Sequence, residues 1–122
     1  MTLTLAPDKI AHLKAGAKAA AFGALVAFVL ALVMLYALQV PAPLRLPLLL
    51  ICTGLGALIA GASAGITKEK ADQADNEIHP GMHGVELGDA LATTAPGALA
   101  CAACLVLAVL VHQGMAGLGA WT

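Results

Sequence analysis

The chain has 122 residues, of which 61% are hydrophobic and 11% charged, and it carries a net charge of −1. Soluble domains are typically about a quarter charged, and a globule this small buries too little of its surface to hide so much apolar area, so water is excluded as its main solvent. Nucleic acid is excluded as a partner, because there is no basic excess to meet phosphates. Lipid is the solvent that fits, and a single transmembrane domain over residues 1–122 is the expectation at this length.

The charges are concentrated. Apart from Arg45, all of them lie in residues 7–18 or residues 67–89, together with three of the four histidines. Each of these stretches abuts a long apolar run.

The first run, residues 19–40, holds no charged side chain and meets the requirement of about 20 apolar residues for a membrane crossing. Its helix is expected to begin earlier, with Pro7 in the first turn and Asp8 against the positive end of the helix dipole. The first turns then project from the bilayer, and Pro41 and Pro43 end the helix. A secretory signal fits poorly, because the run exceeds the roughly 7–15-residue apolar core of such a signal and no A-x-A site follows it.

The second run is residues 46–66. Ala57, Gly61 and Gly65 recur every four residues and form a small-residue face that lets another helix approach closely. That helix belongs either to the same chain or, in a homo-oligomer or with a membrane partner, to another. The second helix is expected to continue past the membrane into the polar loop, residues 67–89. There Glu69, Asp72, Gln73 and Asn76 share one face, with Lys68 and Lys70 flanking Glu69. Pro80 and Gly81 then break it between His79 and His83.

The third run, residues 90–111, opens behind Asp89, which is well placed at a helix N-terminus. Pro96 frees the carbonyl of Ala92, and the neighbouring Thr93 and Thr94 are expected to satisfy it. Cys101 and Cys104 form a C-x-x-C, and Cys52 lies in the second run. Deep in apolar helices, these thiols read as small packing residues rather than as a redox pair. Residues 113–122 form a short, glycine-rich tail, and Tyr36 and Trp121 are the lone aromatic candidates for interfacial anchors.

The expected fold class is therefore all-α: an integral membrane bundle of three transmembrane helices, the first and second extending beyond the bilayer. The N-terminus and the polar loop share one side with Lys9, Lys14, Lys18, Lys68 and Lys70, while Arg45 is on the other. The positive-inside rule then gives a multi-pass protein of the cell inner (cytoplasmic) membrane with its N-terminus in the cytoplasm.

Asp8 and His12 are four residues apart and share a helix face that continues through Ala15, Gly16 and Ala19. Three helix ends thus gather His12, Glu69, Asp72, His83 and Asp89 at one membrane face. Imidazole and carboxylate together suit a divalent metal, and His12, Glu69, Asp72 and Asp89 also suit general acid–base catalysis. Lys9 and Lys68 are candidate ligand-binding charges for an anion. A solvated polar loop is the alternative, and no metalloprotease, P-loop or nucleophile-elbow motif is present.

The order DKIAH, then GITKEKAD, then HGVELGDALATTAPGA resembles that of VanZ-like membrane proteins and the related small YfiM-like envelope proteins. The resemblance covers about half the chain and marks Asp8, Lys9, His12, Lys68, Glu69, Asp72, Asp89, Thr93 and Gly97, with His83 and Gly84 at a glycine-rich turn. It implies a shared polar site and a cell-envelope setting, and delivers no enzymatic mechanism. The acidic loop, the lack of a lipoprotein cysteine and the cytoplasmic motif side depart from the envelope pattern. Small proteins of this kind also occur on phage and prophage genomes.

The expected function is that of a small polytopic membrane protein whose polar site acts at the cell envelope on a lipid-linked or headgroup ligand. The alternative is a non-enzymatic phage-type protein, either a holin-like lysis factor or a membrane component of a larger assembly. The tail GMAGLGAWT lacks the charges with which a holin usually ends. An ion conduit fits less well, because the ionisable residues leave the midplane apolar.

Overall fold

The computed structural model describes residues 7–78 and 87–117. They form three helices: α1 over Pro7–Ala37, α2 over Ala42–Ile78 and α3 over Leu87–Gly117. All three are long and apolar enough to cross a membrane. At 1.5 Å per residue α1 and α3 are each about 46 Å long and α2 about 55 Å, against a hydrocarbon core of about 30 Å. All three therefore reach past the apolar layer. For α3 this exceeds the expectation, because the helix runs on through Gln113 to Gly117.

Pro7 opens α1, where a missing N–H costs nothing. Its end comes before the prolines. The Val40 amide donates to the Leu35 carbonyl (3.0 Å) and the Gln39 amide to Tyr36 (3.1 Å), the paired bonds of a Schellman cap. The cap places Gln39 in the left-handed region, with φ of 53°. Arg45 closes the turn from the other side: its Nε donates to the Val40 carbonyl at 2.8 Å, and its guanidinium lies 4.5 Å from the centre of the Tyr36 ring.

α2 starts at Ala42, earlier than its apolar run. Pro43 is tolerated in a first turn whose amides have no intrahelical acceptor. Pro47 is buried inside the helix, and its missing amide costs only the bond to the Pro43 carbonyl.

The core is built from small side chains. Ala20, Leu35, Ala57, Cys101 and Ala108 are buried, Leu35 being the one large apolar side chain among them, and among the described residues Thr93 is the largest fully buried side chain. The helices therefore meet backbone to backbone. A β-carbon on Gly56 would lie 2.6 Å from the Gly23 carbonyl oxygen, and one on Gly97 would overlap that of Ala57. Ala57, Gly61 and Gly65 are buried, and the two glycines face Gly97, Ala90 and Thr94 of α3. Within the chain, α3 packs against this small-residue face. Cys101 and Cys104 line the same seam opposite Gly54, and all three cysteines are free thiols.

The large apolar side chains point outward, as in Phe22 at 70% and Leu99 at 72% exposure. A bundle with small residues inside and large ones outside is packed for lipid, where close backbone approach rather than hydrophobic burial holds helices together.

Candidate functional site

The start of α1, the end of the α2 span and the start of α3 share one end of the bundle. Four side chains from α1 and α3 meet there: Lys9, His12, Asp89 and Thr93. His12, Asp89 and Thr93 are buried. The Lys9 ammonium is ion-paired with Asp89 Oδ1, and its side chain keeps 28% exposure. The other carboxylate oxygen, Oδ2, lies 3.5 Å from His12 Nε2. Thr93 Oγ1 donates to the Asp89 backbone carbonyl at 3.0 Å and sits 3.3 Å from His12 Nδ1.

Local sequence explains the arrangement. Lys9 and His12 are three apart and Asp89 and Thr93 four apart, so each pair shares a helix face. Gly16, one turn beyond His12, lets α1 reach the Thr93 carbonyl, since a β-carbon there would overlap it. Burying an ionised carboxylate is costly unless it is paired and hydrogen-bonded, and the Lys9 ammonium offsets that cost.

His12 lies between the Thr93 hydroxyl and the Asp89 carboxylate, and which ring nitrogen donates depends on its tautomer. The order hydroxyl, imidazole, carboxylate is that of an activated nucleophile. Here Thr93 is 2% exposed and wedged against Gly16, so no reacting carbonyl carbon reaches its oxygen.

α2 contributes a second pair. Lys68 Nζ donates to Asp72 Oδ2 at 2.8 Å, one turn apart on the helix. The ammonium is also within electrostatic range of Glu69 and Asp89, which ties α2 to the cluster. Glu69 Oε1 is inaccessible and makes no hydrogen bond.

Of the expected site residues, the fold brings His12 and Asp89 together with Lys9, and holds Asp72 with Lys68 beside Glu69. Lys9 and Lys68 were expected as ligand-binding charges, and their ammonium groups are ion-paired with the buried carboxylates of Asp89 and Asp72. His83 and Gly84 lie outside the described residues. Among the described residues no three His, Cys, Asp or Glu side chains converge as a metal ion requires, and both nitrogens of His12 are already engaged. Thr94 Oγ1 donates to the Ala90 carbonyl at 2.8 Å. Both threonines thus bond carbonyls four residues back rather than the Ala92 carbonyl freed by Pro96. Thr93, which the family resemblance marked but which was not among the expected catalytic or metal-binding residues, joins the cluster although it lies 81 residues from His12 along the chain; its place four residues after Asp89 puts the two on one helix face.

Fold and site together define a class: a multi-pass α-helical membrane protein with a buried ionic cluster at one end. Comparison with known proteins goes no further, for no family model, curated protein or solved structure matches the chain.

Proposed function

We propose that this is a small cell-envelope protein of the cytoplasmic membrane, with its N-terminus and polar end on the cytoplasmic side, and that the cluster serves a lipid-linked or headgroup ligand carrying phosphate. One observation carries the reading. In a bundle whose core is mostly small apolar side chains, Lys9, His12, Asp89 and Thr93 form a buried ionic network at one end. Replacing such a network with apolar side chains is often neutral or stabilising, so packing alone does not call for it. The DKIAH, KEKAD and GDALATTAPG order, with its resemblance to VanZ-like proteins, supports the envelope setting. In this reading His12 exchanges the proton, Asp89 orients it, and Lys9 supplies positive charge at the mouth.

The test is thermal unfolding of the detergent-purified chain with and without a polyprenyl phosphate, for wild type, His12→Gln and Lys9→Gln. Stabilisation of the wild type that both variants lose, while still inserting and eluting normally, is the expected result. An indifferent wild type, or variants that respond equally, would sink the reading and move the weight to an assembly role. Labelling of single cysteines placed at residues 14 and 113, in a variant lacking the three native cysteines, tests the orientation. Cytoplasmic protection of residue 14 and external access at residue 113 are expected.

A further inference from the structure

The lysines left over from the cluster lie on a different surface. Lys14 and Lys18 are exposed, and neither is ion-paired or hydrogen-bonded among the described residues. They are one turn apart on α1, and their face continues down the helix through Phe22, Leu25, Val29 and Tyr36. These four are 70%, 61%, 49% and 60% exposed. The surface therefore reads as two stacked cations followed by an unbroken apolar strip. From Lys18 to Tyr36 the rise is about 27 Å, close to the roughly 30 Å of hydrocarbon in a bilayer. Tyr36 with its stacked Arg45 marks the opposite edge. Lys14 and Lys18 thus stand at the level of lipid phosphates, with the strip at the level of the acyl chains.

The geometry points to this face as a binding site for an anionic phospholipid, its phosphate between Lys14 and Lys18 and one acyl chain along Phe22, Leu25 and Val29. Charge complementarity selects the occupant. A second copy packed in parallel would bring four ammonium groups together, and helix pairs in lipid prefer small residues at their contact, which this strip lacks. Each cation near an anionic surface contributes about 1 kcal/mol. This site lies on the lipid-facing surface and is independent of the His12 cluster; it requires only that the bundle sit in a bilayer.

The experiment reconstitutes the full chain in vesicles of equal parts phosphatidylglycerol and phosphatidylcholine. The protein is extracted in mild detergent and the retained lipids are quantified. The wild type is expected to retain phosphatidylglycerol in excess. The Lys14→Gln/Lys18→Gln double variant is expected to lose about thirtyfold of that preference, and Lys14→Arg/Lys18→Arg to keep it. Lys70→Gln, an exposed cation on α2, is expected to change nothing, and helicity and elution position confirm that each variant is folded. An unchanged preference in the double variant overturns the proposal. So does an equal loss in Lys70→Gln, which would mean diffuse attraction. So does a wild type without preference that cross-links as a dimer through cysteines placed on this face, which would make the occupant a second copy. Because His12→Gln leaves this face untouched, failure here and failure of the cluster's proposed role are separate results.

Discussion

Asp89 answers to two groups of α1 at once, with Lys9 on one oxygen and His12 facing the other, while only 5% exposed itself. Removing its charge leaves both partners facing a neutral amide in a dry seam. Asp89→Asn is therefore expected to destabilise the bundle by about 3 kcal/mol. Lys68→Gln, whose side chain is 43% exposed, should cost less than about 1 kcal/mol. Unfolding titrations in mixed micelles distinguish the two, and equal losses would mean that burial does not set the strength of these pairs. The sequence made His12 and Asp89 legible because both sit where an apolar run meets a polar stretch. It did not reveal that Lys9 pairs with Asp89. Pairing between residues 80 apart depends on which faces of α1 and α3 meet, and Gly16 against Thr93 decides that only in three dimensions.

At the scale of the helix, the charge-free runs located the three spans because nothing else in this composition can cross lipid. Their ends were less legible. Pro41 and Pro43 looked like the stop of α1, yet the chain caps itself earlier, at Gln39, and α2 accepts Pro43 in a turn that has amides to spare. The cap holds a side chain in a backbone region that favours glycine, at a cost of about 1 kcal/mol. Gln39→Gly is accordingly expected to raise stability by about that amount, read from the midpoint of thermal unfolding, and no gain would mean that the Gln39 side chain makes compensating contacts. The face of Ala57, Gly61 and Gly65 was legible as a helix seam, and α3 of the same chain packs against it.

Across the whole molecule, side-chain size inverts the rule of water-soluble proteins. Exchanges on the outer surface should therefore be nearly silent: Leu99→Ala, at 72% exposure, is expected to shift stability by less than about 0.5 kcal/mol. Enlarging the interior should not be silent, and Ala57→Leu, at 1% exposure, should cost about 1–3 kcal/mol or more by overpacking. The same unfolding titration measures both, and a reversed order would mean that Leu99 faces protein rather than lipid.

The division of the cluster between the first and last helices has a consequence for biogenesis. α1 and α2 are joined by residues 38–41, short enough to enter the membrane as a hairpin, but Lys9 and His12 have no access to Asp89 until α3 is synthesised. The ionic network thus closes only once α3 has been synthesised. In a pulse-chase experiment, Asp89→Asn is expected to be cleared by membrane proteases faster than wild type, with the difference arising only after α3 has been made. An equal half-life would mean that the chain is judged mature without this contact.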